Sequence, residues 1–135
     1  MPNAPDVHIC EVGPRDGLQN LDIFVPTDAK CALIDAIVAA GVREVDAGSF
    51  VPPKVVPQFA DVDIVMAHAL AHKAITMGAL VPNFKGAERA VAAGVNAVGF
   101  LQREGRDKCQ TSRQSPKPYG RHLDGLRLLN GGSHR

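Results

Sequence analysis

The sequence predicts an α/β fold built on a parallel sheet, and three observations carry that prediction. Short apolar runs recur at residues 7–12, 42–47, 74–81 and 95–101; helical patterns fill the intervals between them; and each interval is too long for a hairpin turn. Parallel neighbours need a crossover connection, and strand–helix–strand crossovers are right-handed almost without exception.

Each apolar run is continuous rather than alternating, which is the pattern of a strand buried on both faces. The first helix is expected to begin at Thr27, whose hydroxyl can serve free backbone N–H groups, and to carry Leu33, Ile34, Ile37 and Val38 on one face. Gly41 follows as its stop. A second helical pattern runs from about Asp61 to His72 with Val62, Val65 and Ala69 facing inward, and a third, rich in alanine, runs from Gly86 to Ala93 and ends at Gly94. A doubly wound sheet and a barrel share this local pattern, so periodicity alone leaves both open. A complete (β/α)₈ barrel takes roughly 250 residues, about twice the 135 present here.

Composition narrows the function classes. A 45% hydrophobic content supports a packed core, and no apolar run is long enough to span a bilayer. Residues 1–7 lack the basic and apolar regions of a leader, so a soluble, cytoplasmic protein is the expectation. Cys10, Cys31 and Cys109 form no C-x-x-C pair and read as reduced structural residues. Charge is unevenly placed: residues 1–100 hold 7 Lys+Arg against 11 Asp+Glu, whereas residues 101–135 hold 8 against 3. From Gln102 to Arg135 no sustained period survives except Leu123, Leu126 and Leu129. With Tyr119 as its one aromatic residue, this basic stretch reads as a solvated tail and not as a nucleic-acid contact. The chain therefore divides into an α/β domain at 1–101 and an irregular tail at 102–135. So abrupt a loss of pattern is what an out-of-frame tail would produce, and the downstream nucleotide sequence tests that directly.

The chemistry-bearing residues cluster where the first run ends, in Glu11-Val-Gly-Pro-Arg15-Asp16-Gly-Leu-Gln-Asn20. Ligands of parallel α/β folds bind at the carboxyl ends of strands, so Arg15 and Asp16 project where a ligand would sit. Asp16 offers a hard oxygen suited to Mg²⁺ or Mn²⁺, and Arg15 a rigid fork of donors for an enolate or carboxylate oxygen. On composition alone the same pair is an ordinary surface turn. His68 and His72, four residues apart, share a helix face. They lack the intervening Glu of a metalloprotease helix and any third ligand in sequence, and so read as surface histidines.

This decapeptide closely resembles the first-strand motif of 3-hydroxy-3-methylglutaryl-CoA lyases. The resemblance continues in order through Val25-Pro-Thr-Asp-Ala-Lys30, Ala47-Gly-Ser-Phe-Val-Pro-Pro-Lys-Val-Val-Pro-Gln58 and Val81-Pro-Asn-Phe-Lys-Gly86, and covers residues 7 to about 100. It implies the N-terminal half of a (β/α)₈ TIM barrel, about four β/α units. It further implies Mg²⁺- or Mn²⁺-dependent retro-Claisen cleavage of 3-hydroxy-3-methylglutaryl-CoA to acetoacetate and acetyl-CoA, as in leucine catabolism and ketone-body formation. By correspondence Arg15 is the catalytic residue that stabilises the enolate and contacts substrate, Asp16 is the metal ligand, and Asp46 and Ser49 are substrate contacts. The partner is an acyl-CoA, with neither nucleic acid nor membrane, and the full-length family is expected to self-associate. Asp46 stands where the family usually has the longer Glu, and Leu21 where an acidic residue commonly follows Leu-Gln-Asn. The family's remaining metal ligands and its loop cysteine, all from the second half of the barrel, have no counterpart in this sequence, and Cys109 does not replace that cysteine. The 135-residue chain is thus expected to be a lyase by ancestry and inactive alone. The alternatives are a non-catalytic fragment or pseudogene product, and a related Claisen-type acyltransferase, which shares the shorter Arg-Asp-Gly element.

Overall fold

The computed structural model describes residues 7–104 and 108–112. Its core is a five-stranded sheet in which β1 (Cys10–Glu11), β2 (Glu44–Ser49), β3 (Thr76–Val81), β4 (Ala97–Glu104) and β5 (Lys108–Ser112) lie side by side in chain order. The first three pairings are parallel and the last is antiparallel. A doubly wound sheet reverses its strand order part-way; this one does not, and sequential parallel order is the arrangement of a barrel segment.

Between the strands run α1 (Thr27–Ala39), α2 (Val62–Ala69) and α3 (Phe84–Ala93). Helix α2 packs on β2 and lies between α1 and α3. The expected inward residues of α2, Val62, Val65 and Ala69, are all buried there with Met66. Of the apolar face assigned to α1, Ile34 is fully buried and Ile37 and Val38 pack at the edge of the core, while Leu33 is exposed. Gly41 and Gly94 close α1 and α3 in left-handed backbone, as expected. Helix α3 begins two residues before its expected start because the Asn83 side chain accepts the Gly86 N–H at 2.9 Å.

Burial along β3 alternates: Met77, Ala79 and Val81 are buried against the helices, whereas Thr76, Gly78 and Leu80 are only half-buried. The sequence reading of strands covered on both faces is therefore met on one face among the described residues. It fails most clearly at β1, which has two paired residues in place of the expected run 7–12. Val7 and Ile9 there are 72% and 69% exposed. Their ladder has β2 on one side and no described neighbour on the other, so the apolar residues have nothing to be buried against.

Regular structure was expected to stop near Leu101, yet β4 runs on to Glu104 and β5 pairs with it through Lys108 to Ser112. Antiparallel pairing is made by backbone groups, and a polar strand such as Lys108-Cys-Gln-Thr-Ser112 leaves no apolar period to detect. Tyr119, Leu123, Leu126, Leu129 and the remaining tail lie outside the described residues, as does the Cys109 side chain.

Thr27 behaves differently from expectation. Pro26 occupies the N-cap position with no side-chain cap, so Thr27 is already helical. Its hydroxyl donates instead to Asp61 Oδ2 at 2.7 Å. Asp61 Oδ1 in turn pairs with Lys30 Nζ at 2.7 Å, and the same ammonium donates to the Gln58 carbonyl at 2.5 Å and sits 4.1 Å from the centre of the Phe24 ring. Lys30 is only 3% exposed. A buried cation on α1 is thus neutralised from the segment that leads into α2.

A second tie between the same helices lies near the surface, where Asp35 Oδ1 is 2.7 Å from Nε2 of both His68 and His72. Hydrogen bonds to His68, then to His72, hold the Asp35 carboxyl below the usual carboxylate range. A lowered carboxyl favours the fold above that range, and its contribution is lost as pH falls through the lowered value. Replacing both histidines by Gln should move the Asp35 titration midpoint, followed by NMR, upward; an unmoved midpoint would contradict the assignment. The Cys31 thiol is pushed up by burial and then by Asp35, Asp61 and Asp28.

Candidate functional site

The backbone just past β1 winds into a five-residue π-turn, Gly13–Gly17, with Pro14 buried beneath it. The Arg15 and Asp16 N–H groups both donate to the Val12 carbonyl, at 3.1 and 2.7 Å. Glu11 Oε1 closes the turn from the other side by accepting the Gly13 N–H at 2.7 Å. A side chain at position 13 would bring a Cβ within 2.9 Å of that same oxygen, so the Glu11 carboxylate would have to shift from this bond. Glu11 opens the motif in sequence without a role of its own, because a carboxylate that organises backbone two residues away has no spacing signature.

This turn packs against β2 and presents Arg15 to Asp46. Arg15 Nε donates to Asp46 Oδ2 at 2.8 Å, and Arg15 Nη1 donates to Asp16 Oδ1 at 3.1 Å. The arginine and Asp46 side chains are 12% and 15% exposed, whereas Asp16 is 57% exposed. The guanidinium is therefore held between a half-sheltered acid and an open one. Asp46, although one methylene shorter than Glu, reaches the arginine.

A register shift between Asp46 and Gly48 interrupts the β2–β3 ladder. Asp46 then pairs with Gly78 and Ser49 with Leu80, so these residues lie along the half-buried face of β3. Gly48 lies on the opposite face, where an added Cβ would come 3.0 Å from Val62 of α2. Ser49 is 2% exposed, and its hydroxyl donates to the Leu80 carbonyl at 3.3 Å. The structure thus brings Arg15, Asp16 and Asp46 into direct contact and sets Ser49 further along the same strand, bonded to β3.

Asp16 is a hard, exposed oxygen donor of the kind Mg²⁺ or Mn²⁺ accepts, but these ions require several convergent ligands in octahedral geometry. Among the described residues no set of three ligand groups forms around Asp16. The residues present fit one corner of such a site and do not make it alone.

A model of the HMGL-like family matches residues 6–107, which is most of the chain. The chain belongs to the HMGL-like family. Over 95 residues it is 50% identical to the mitochondrial hydroxymethylglutaryl-CoA lyase of Rattus norvegicus, and over 102 residues 41% identical to the cytoplasmic 3-hydroxy-3-methylglutaryl-CoA lyase of Mus musculus. These stretches cover 70% and 75% of this chain but 29% and 30% of those relatives. Among solved structures, the HMG-CoA lyase from Brucella melitensis superposes with a TM-score of 0.68 at 44% identity, covering 72% of this chain and 34% of that one. The enzyme from Acinetobacter baumannii, solved in complex with coenzyme A and 3-methylmalate, gives a TM-score of 0.66 at 43% identity over 69% of this chain and 30% of that one. The HMGL-like chain thus spans about a third of the length of the lyases it matches. It is α/β and corresponds to the N-terminal part of their barrel, as the resemblance implied. Relatives are named both mitochondrial and cytoplasmic, and no helix among the described residues is long and apolar enough to cross a membrane.

Proposed function

We propose that residues 7–101 carry the arginine half of a hydroxymethylglutaryl-CoA lyase site, for retro-Claisen cleavage of 3-hydroxy-3-methylglutaryl-CoA to acetoacetate and acetyl-CoA. The observation that supports this most directly is the 2.8 Å bond from Arg15 Nε to Asp46 Oδ2. Cleavage between the two carbon fragments leaves an enolate, whose oxygen needs a fixed cation or preorganised donors. An arginine pinned by a sheltered carboxylate is such a donor: its orientation is set before substrate arrives, and the rest of its five-donor fork can face the developing oxyanion. Asp16 would contribute one oxygen to a divalent ion that, when bound, polarises the substrate hydroxyl and carboxylate. Asp46 orients the arginine, and Ser49 would reach the acyl-CoA only by exchanging its bond to Leu80.

A chimera tests this without requiring activity of the chain alone. Residues 7–101 are to replace the matching segment of a full-length relative, and acetoacetate release is measured with added Mg²⁺. Cleavage by the folded chimera is expected; a folded chimera that binds substrate but does not cleave it refutes the proposal. The 135-residue chain by itself should release no acetoacetate above background, because Asp16 is one ligand of several. Offering acetyl-CoA with a 2-oxo acid to the same chimera separates the acyltransferase reading.

A further inference from the structure

Away from Arg15, a second set of side chains converges on one point. Asp35 of α1, His68 in the last turn of α2 and His72 three residues past the end of that helix bring their ligand atoms within 4.8 Å of one another, with Asp35 Oδ1 2.7 Å from each Nε2. The imidazole rings meet edge to face, 5.9 Å between centroids. In a β/α unit the helix runs back against its strand, so this cluster lies at the amino ends of the strands, whereas Arg15 follows the carboxyl end of β1. Nothing in the proposed lyase chemistry uses it.

We propose that Asp35, His68 and His72 form a zinc-type divalent metal site that clamps α1 to α2 and leaves a fourth position for water. The donor set decides the class of metal: two imidazoles and one carboxylate suit Zn²⁺, whereas Mg²⁺ prefers oxygen alone. Geometry agrees. Ligand atoms around a tetrahedral Zn²⁺ at ~2.0–2.1 Å sit about 3.4 Å apart. The Asp35–histidine separations need open only slightly from their hydrogen-bonded value. The three side chains are 48%, 39% and 29% exposed, so they can rotate to do so and an ion can enter. His68 comes from the last turn of α2 and His72 from the turn just beyond it; the third ligand arrives from a different helix, and it is tertiary packing of α1 on α2 that completes the set.

Calorimetric titration of the full 135-residue chain with Zn²⁺ tests the site, with Cys10, Cys31 and Cys109 replaced by Ser and with His8, His122 and His134 replaced by Gln to remove competing ligands. One Zn²⁺ per chain is expected, with Kd on the order of 1 μM, weaker than four-ligand thiolate sites. Asp35→Asn, His68→Gln and His72→Gln should each weaken binding at least tenfold. These partly exposed positions can be changed without removing core, and circular dichroism verifies that each variant folds. With free Zn²⁺ at ten times Kd, Tm should rise by about 5–10 °C, and Mg²⁺ in large excess should produce no shift. Absence of stoichiometric binding, or binding that survives His68→Gln/His72→Gln in a folded chain, overturns the proposal.

Discussion

Asp61→Ala should lower the unfolding free energy of this chain by about 3–5 kcal/mol, the usual cost of stranding a buried charge. The Lys30 side chain is 4% exposed and that of Asp61 10%, and they meet at 2.7 Å. Removing the carboxylate leaves an ammonium that the Gln58 carbonyl and the Phe24 ring can solvate only in part. The Thr27 hydroxyl loses its acceptor at the same time. Against the 5–15 kcal/mol typical of a whole domain, the loss is large. Urea unfolding should show a reduced midpoint with little change in slope. The double change Lys30→Met/Asp61→Leu distinguishes a stranded charge from a lost contact, since it removes both charges and fills the space with apolar atoms. It should cost less than Asp61→Ala alone. A midpoint unchanged by Asp61→Ala would mean that water reaches Lys30 and that the ion pair matters little.

Arg15→Met in the chimera should reduce kcat by about 10²–10³-fold, the range seen when one preorganised oxyanion donor is removed. Arg15→Lys should recover little of it. A lysine keeps the charge but presents a compact ammonium where the observed geometry uses separate nitrogens, Nε toward Asp46 and Nη1 toward Asp16. Asp46→Asn should produce a smaller fall in kcat with a folded protein, because it loosens the arginine without removing it. If Arg15→Met retains more than a tenth of the chimera's activity, another group stabilises the enolate and the assignment of Arg15 is wrong.

Element order was legible in the sequence because long helical periods and apolar runs are local properties. Gly41 and Gly94 mark helix ends by chemistry that also needs no partner, whereas the cap at Asn83 is passed over in sequence and the start of α3 placed two residues late. What escaped was whatever depends on a distant neighbour. The run at residues 7–12 is apolar enough for a buried strand, yet burial requires something on its far side. Lys30 looks like any helical lysine until Asp61 is packed against it. The two histidines gave half a ligand set, and Asp35, 33 residues before His68, is brought beside them only by the packing of α1 on α2. At the Arg15 site the resemblance supplied the residues, but the bond to Asp46 spans 31 positions and no spacing rule anticipates it.

The register shift in β2 has one further consequence, which concerns odd and even positions. In an uninterrupted strand, residues three apart point to opposite faces. Asp46 and Ser49 are three apart and yet lie along one face, because the irregularity between Asp46 and Gly48 inserts an extra step into the count. Regular alternation through all four residues from Asp46 to Ser49 would deliver either the acid or the hydroxyl to the helices. The step out of register at Ala47, a residue with no polar atom in its side chain, therefore keeps the two groups on the same surface.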